Sequence, residues 1–411
     1  MVFVTQILLA RWMGPAELGI YVYAFSWCML LSIAVGLGLP DSSIRFVTQG
    51  LADGDTNLVN GFVKRGRQIA IAFSLVIVFL VMLILSMTND ITYLDRPWVI
   101  MWAALSIPFV ALTRSYKRLA HACSWFVLSY IPDMTLRPLI FLALIGGVWS
   151  IQGQLSAETA MLLQMAAIVI ISVGLSLFIL PRLRQLLQGS RPRYETRQWL
   201  KVSWPFLVIV LFTQYFAEFS VVIVGLQLPP EDVALYSVCY KTALLIGFIF
   251  FAVHAAVYPK ISTLYAEGDI AALQGLVVKV ARLNFGLAFC ALIVYWGLGR
   301  HILGLFGDHF VGGYPMLLLI AASQLVLAAM GPVSELLSVS GNQGRCVYVF
   351  SAASMLTVIL NFVLIPLYGV EGAAFTVLAV MTLWAGWMHF LVVKHLKIIP
   401  SVFGSMAQRG L

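Results

Sequence analysis

Twelve apolar runs, each parted from the next by a short polar segment, limit what this chain can become more than any other feature. They cover residues 1–10, 18–39, 68–87, 98–114, 125–148, 158–180, 202–226, 234–257, 275–298, 314–339, 347–367 and 369–393. A helix needs about 20 apolar residues to cross the hydrocarbon of a bilayer, where backbone groups must satisfy one another. The expected fold is therefore an all-α polytopic membrane protein of about twelve transmembrane helices. The first run would span only about 15 Å as a helix and is expected to be a truncated one. It lacks the basic n-region and small-residue cleavage site of a signal peptide.

Composition agrees: 61% of residues are hydrophobic and 10% charged, where soluble domains have about 45–50% and about 25%. No polar stretch runs far beyond 181–200, which leaves no room for a separate soluble domain. The net charge of +8 does not point to nucleic acid, because the basic residues sit in short loops rather than on one amphipathic face. All but five of the 25 Lys and Arg residues fall on one side of the expected membrane. Arg11, Arg96 and Arg300 lie on the other, and Arg137 and Lys241 lie within spans. By the positive-inside rule both termini are cytoplasmic. The five cysteines are scattered singly, without metal or redox spacing, and are expected to pack between helices. Trp98, Trp149, Trp199, Trp204 and Trp296 fall near span ends and are expected to act as interface anchors.

The chain also repeats itself. Pro15, Glu17 and Tyr21 recur as Pro230, Asp232 and Tyr236. Ala52-Asp53-Gly54-Asp55 recurs as Ala266-Glu267-Gly268-Asp269, and Val63-Lys64 as Val278-Lys279. A near-constant offset points to two copies of one unit. Six spans per copy give both halves the same orientation: an N-terminal lobe 1–180, a basic cytoplasmic connector 181–201 and a C-terminal lobe 202–411. Parallel repeats of this kind are one transporter plan, with substrate bound between the halves. The connector reads as a solvated linker facing anionic headgroups.

Ionisable residues inside spans are costly and tend to face a cavity or a partner. Ser129, Tyr130, Asp133 and Arg137 share a helix face beside Pro132 and Pro138. Asp133 and Arg137, at i and i+4, either form a structural ion pair or leave Arg137 to offer its fork of donors to a phosphate. Glu218, with Gln214, and Lys241, with Ser237, lie at similar depth below the outer surface, and Lys241 either pairs with Glu218 or snorkels outward. Glu335 follows Pro332 in the tenth span as a gate or proton-site candidate or a solvated end residue. Arg45 follows the Gly36–Pro40 break at the cytoplasmic mouth, and His254 reads as a packing or interfacial residue.

The stretch Ala10-Arg11-Trp12-Met13-Gly14-Pro15-Ala16-Glu17-Leu18-Gly19-Ile20-Tyr21, with Gly36-Leu37-Gly38-Leu39-Pro40 and Ile44-Arg45-Phe46, resembles the opening signature of bacterial polysaccharide transporters. These are the O-antigen and exopolysaccharide flippases of the multidrug, oligosaccharidyl-lipid and polysaccharide (MOP) exporter superfamily. Asn361 to Ala374 is similar to that family's penultimate-loop pattern. The resemblance implies flipping of undecaprenyl-diphosphate-linked oligosaccharide from the cytoplasmic to the periplasmic leaflet of a bacterial inner membrane. Two six-helix lobes around a central cavity would do this by alternating access, with polysaccharide polymerase machinery as a further partner and membrane lipids around it. Fixed cations suit that cargo: Arg137 and Lys241 in the cavity and Arg45 at its mouth, with Asp133, Glu218 or Glu335 binding a coupling proton or sodium ion. A drug or cation antiporter of the same superfamily is the alternative and would favour an acidic cavity. An enzyme is not expected, because the loops are short and carry no metal- or nucleotide-binding motif.

Overall fold

The computed structural model describes residues 2–87, 96–340 and 343–404. Among them every long regular element is a helix: α1 Val2–Val35, α2 Leu39–Ala52, α3 Thr56–Met87, α4 Pro97–Ala122, α5 Phe126–Ile131, α6 Arg137–Gln152, α7 Ala157–Leu186, α8 Thr196–Gly225, α9 Pro230–Ala243, α10 Leu245–Glu267, α11 Ile270–Gly304, α12 Tyr314–Met330, α13 Val333–Val339, α14 Gln343–Tyr368 and α15 Val370–Leu396. A π turn, Pro132–Leu136, joins α5 to α6. Among the described residues, ten helical segments are long and apolar enough to span a membrane, and the chain is an all-α polytopic membrane protein. The first and second expected spans are the two arms of α1, which bends at Gly14 (φ 74°) just before Pro15. The eighth is divided between α9 and α10.

The helices form two compact units, Met1–Val222 and Ile223–Leu411. In the first, Phe62, Tyr116, Leu119, Ile171, Leu175, Ile179 and Trp199 build an apolar core from α3, α4, α7 and α8. The segment between α7 and α8 is docked rather than solvated along its backbone. The Arg193 N–H donates to the Asn57 carbonyl at 3.0 Å, and the Arg191 N–H donates to Asn57 Oδ1 at 2.6 Å. Asn60 Nδ2 donates to Ser190 Oγ at 2.8 Å. Gly61 lies so close to Arg193 that a Cβ would run into its backbone carbonyl. Gly38 (φ 75°) is equally constrained, since a Cβ there would strike the Ser203 carbonyl, and next to it Ser42 Oγ and Ser203 Oγ hydrogen-bond at 2.7 Å.

In the second unit α12 packs among α9, α11 and α15, and α14 and α15 form a hairpin. Gly372 brings α15 against the Leu364 carbonyl of α14 with no space for a side chain. The buried Tyr295 hydroxyl donates to the Thr242 carbonyl at 2.6 Å.

The sequence repeat is a repeat of structure. Pro15 and Pro230 each open a helical arm, and Tyr21 and Tyr236 are both buried. Gly54 and Gly268 adopt the left-handed conformation at φ 71° and 74°. Asp55 and Asp269 then cap the next helices, accepting from the Leu58 and Ala272 N–H groups at 3.0 and 2.9 Å, as short acidic side chains do at an N-terminus.

Several expectations are corrected. α4 continues to Ala122 instead of ending near Arg114, because Arg114, Lys117 and Arg118 find partners inside the unit. The tenth span is not continuous to Val339, since Gly331 (φ 73°) and Pro332 break it into α12 and α13. Trp199 is a core residue, 1% exposed, edge-on to Phe62 at 5.2 Å, because the docked segment turns the first turn of α8 inward. Cys28, Cys239 and Cys346 are buried as expected and Cys123 partly so, but Cys290 is exposed.

Gly61→Val is expected to destabilise the protein by about 1–3 kcal/mol, the usual cost of overpacking. It should also expose 187–195 to protease; an unchanged melting temperature and digestion pattern would show that the close approach is not needed.

Candidate functional site

Helix breaks set the geometry of the first unit's polar centre. Pro138 has no N–H to continue the α-helical ladder, and a proline inside a helix displaces the carbonyl four residues before it. The chain absorbs this by widening between Pro132 and Leu136, where the Arg137 N–H reaches back five residues to the Pro132 carbonyl. Such π turns cluster where side chains must be re-aimed. Asp133 and Arg137 emerge on one face and pair, Arg137 Nε to Asp133 Oδ1 at 3.2 Å.

α4 brings three more cations to the same place. Arg114, Lys117 and Arg118 follow helical spacing along one face of its last two turns. Lys117 Nζ forms a short hydrogen bond with the other Asp133 oxygen. Arg114 donates to Asp41 Oδ2 at 2.6 Å, and Arg118 approaches Asp41 Oδ1 at 2.9 Å, so one carboxylate of α2 holds two guanidinium groups. Asp41 stands in the first turn of α2, where a helix N-terminus favours an anion. The Arg114–Asp41 pair is nearly sealed, with side chains 10% and 7% exposed, whereas Lys117, Arg118, Asp133 and Arg137 keep 24–29%.

α8 closes the cluster. It is broken at Tyr215 (φ −127°, ψ 20°), which sets the Tyr215 ring 5.3 Å beneath the Arg114 guanidinium. Arg118 donates to Gln214 Oε1 at 3.3 Å. Glu218, Asp133 and Arg137 all lie within electrostatic reach of the Tyr215 hydroxyl. Four cations thus share two carboxylates, those of Asp41 and Asp133. Counting from Phe126, Asp133 lies about 10 Å along its span, below the helix end rather than at it.

At the opposite end of the same helices, Glu17 of the opening motif fixes the scaffold. Its Oε1 receives Arg96 at 2.9 Å and its Oε2 accepts the Ala157 N–H at 2.7 Å, capping α7. Trp12 stacks on Trp149 at 4.8 Å beside it.

Of the residues singled out from sequence, Asp133, Arg137 and Glu218 belong to this centre. Arg45 is exposed on α2 and forms none of the described ion pairs. Lys241 is half-buried in the last turn of α9, in the second unit. Glu335, also there, is not a solvated end residue: its Oε1 lies 2.8 Å from His254 Nδ1. His254 is accordingly not a packing residue, and its Nε2 lies 3.0 Å from Asn284 Nδ2.

Two family profiles match the chain. One, described as polysaccharide biosynthesis protein, covers residues 1–265; the other, described as MatE, covers 205–363. The chain belongs to the polysaccharide biosynthesis protein family of the MOP superfamily. No curated protein sequence is matched. Solved structures place this family member's fold. An inward-facing multidrug resistance MATE transporter of the MOP superfamily superposes with a TM-score of 0.74 at 11% identity, over 96% of this chain and 99% of its own. The lipid II flippase MurJ, in an inward closed conformation, gives 0.74 at 14% identity over 95% and 84%. A MOP transporter from Pyrococcus furiosus, reported for the reverse polarity of its binding pocket, gives 0.63 at 12% over 96% and 92%.

Sequence reading of this family member missed Asp41, Arg114, Lys117, Arg118, Asn284 and the role of His254. The 114, 117, 118 spacing was the available signal, since three cations on one helical face at a span end need not be loop residues.

Removing Asp41 leaves two guanidinium groups without their carboxylate. Breaking a buried pair from one side costs about 3–5 kcal/mol, so Asp41→Asn is expected to destabilise by that order and Arg118→Gln by much less. Thermal unfolding in detergent checks the ranking; equal losses would mean that Asp41 is not the shared anchor.

Proposed function

We propose that this protein is a flippase for an undecaprenyl-diphosphate-linked oligosaccharide, a precursor of O-antigen, capsule or exopolysaccharide. It acts in a bacterial cytoplasmic membrane with both termini inside, and passes its cargo to polysaccharide polymerase machinery on the far side. One observation carries the reading: Arg114, Lys117, Arg118 and Arg137 converge on one face of the first unit, within the helices that span the membrane.

A diphosphate entering a low-dielectric passage loses hydration at great cost unless fixed donors replace it. Guanidinium forks bind phosphate oxygens in pairs. The carboxylates of Asp41 and Asp133 hold the cations charged and oriented when no cargo is bound. An arriving diphosphate then takes over donors already pointing at one place, so less ordering cost falls on binding. Because Lys117, Arg118 and Arg137 are more exposed than the Arg114–Asp41 pair, they are the groups that meet the phosphates first. Lys241 and Arg45 serve as further cations of the path, at positions outside this centre. The similarity to a lipid II flippase supports a lipid-linked cargo, and the reversed pocket polarity named for the Pyrococcus relative supports treating polarity as the feature that separates cargoes on this fold.

Purified protein in vesicles is expected to move labelled polyprenyl-diphosphate oligosaccharide between leaflets. Each charge-assisted contact contributes about 1.5–3 kcal/mol, so Lys117→Gln and Arg137→Gln are each expected to slow movement about 10–100-fold. Robust efflux of a cationic drug, with no glycan lipid moved and no effect of these substitutions, would overturn the reading in favour of an antiporter.

A further inference from the structure

We propose that a groove on the rear of α4 holds an anionic phospholipid, with its phosphate on Arg67 and an acyl-ester carbonyl on the Tyr116 hydroxyl.

The groove lies wholly within the first unit, between α2, α3, α4 and α7, and has ≈ 500 Å³ of empty space. α4 lines it with Leu112, Ser115, Tyr116 and Leu119, one stripe at i, i+3, i+4 and i+7. At 3.6 residues per turn that stripe points about 160° away from Arg114, Lys117 and Arg118. A ligand here occupies a second place, separated from the cationic centre by the thickness of a helix. It would brace the rear of the helix that carries three of the four cations.

The walls are mostly apolar but hold two donors with nothing to bond. Tyr116 is 5% exposed, and its hydroxyl makes no hydrogen bond among the described residues. Arg67, half-buried on α3, lines the same groove and forms no ion pair or hydrogen bond among them. The two serine hydroxyls of the groove, Ser43 and Ser115, already donate to the Pro40 and Ala111 carbonyls at 2.6 and 2.9 Å. What the groove lacks is acceptors, and a donor withdrawn from water without one carries a desolvation penalty. A guanidinium and a phenol beside an apolar slot suit a molecule with an anionic oxygen, a neutral carbonyl and a long apolar part. A glycerophospholipid has all three; an inorganic anion has only the first.

Depth and charge agree with that occupant. Arg67 stands immediately before the apolar run 68–87, at the edge of the hydrocarbon, where lipid phosphates lie. Further along α3, Phe73, Leu75, Val76 and Phe79 are 47–66% exposed, so lipid chains run past the groove's Arg67 end. At the same end of the bundle Arg65 and Arg182 rest on the rings of Tyr194 and Trp125, at 4.8 and 5.8 Å, rather than on carboxylates. Their charge is left to attract anionic headgroups, as basic pockets between membrane helices do. Beside Arg67, a Cβ built on Gly66 meets nothing within 4 Å, so a larger side chain there would fill the groove without striking protein.

The test uses the full chain, stripped of lipid by detergent exchange and then given phosphatidylglycerol, phosphatidylcholine or inorganic phosphate. Native mass spectrometry counts bound lipid, and the melting temperature is recorded alongside. One phosphatidylglycerol per chain should be retained and should raise the melting temperature, and phosphatidylcholine of the same chain length should bind about 5–10-fold more weakly. Arg67→Gln should weaken phosphatidylglycerol binding about 10–100-fold and Tyr116→Phe about 2–10-fold, the losses of a charged and a neutral hydrogen bond. Gly66→Leu improves the helix and should melt no lower than wild type without lipid, yet gain nothing from phosphatidylglycerol. Equal retention of phosphatidylcholine, protection by inorganic phosphate alone, or binding unchanged in Arg67→Gln and Gly66→Leu each overturns the proposal. Preferential displacement of phosphatidylglycerol by a polyprenyl diphosphate overturns it as well, by making the groove part of the cargo's path.

Discussion

Asp41 and Asp133 hold four cations inside a bundle that is otherwise apolar, and the rest of the first unit follows from that requirement. An isolated ion at this depth would be costly enough to be neutralised or expelled. Sharing each carboxylate between two cations offsets that cost by charge, since Asp41 meets Arg114 and Arg118 while Asp133 meets Lys117 and Arg137. Such clusters rarely add net stability over an apolar core of the same volume.

Placing these charges depends on interrupted helices. The π turn at Pro132–Leu136 aims Asp133 and Arg137, the break at Tyr215 lays an aromatic ring under Arg114, and Gly331 with Pro332 detaches the short helix that carries Glu335. Regular helices would have kept each polar group on its own stripe. Backbone irregularity inside a membrane protein is tolerated where it is covered by protein or borders a polar cavity, and these breaks coincide with the polar clusters.

The two units show how one duplicated frame diverges in chemistry. Their turns and caps correspond residue by residue, at Gly54 and Gly268 and at Asp55 and Asp269. Their polar centres do not. The first gathers guanidinium and ammonium groups around carboxylates, and the second couples an imidazole to a carboxylate and an amide. Caps and left-handed glycines serve any helical frame, so they survive; the residues facing inward are free to specialise.

Much of this was legible in the chain itself. Apolar run length fixed the helical class, because only hydrogen-bonded helices of that length suit hydrocarbon, and the Pro, Gly and Asp positions of the repeat fixed where helices start and stop, because those residues act through the local backbone. The i and i+4 pair of Asp133 and Arg137 was readable for the same reason. The partnership of Asp41 with Arg114 and Arg118, and that of His254 with Glu335 and Asn284, joins residues 30 to 81 positions apart. Periodicity along one helix carries no information about which other helix lies against it. Only packing in three dimensions turned three apparent loop cations into a polar centre, drew Trp199 into the core and gave a histidine read as packing or interfacial two polar partners.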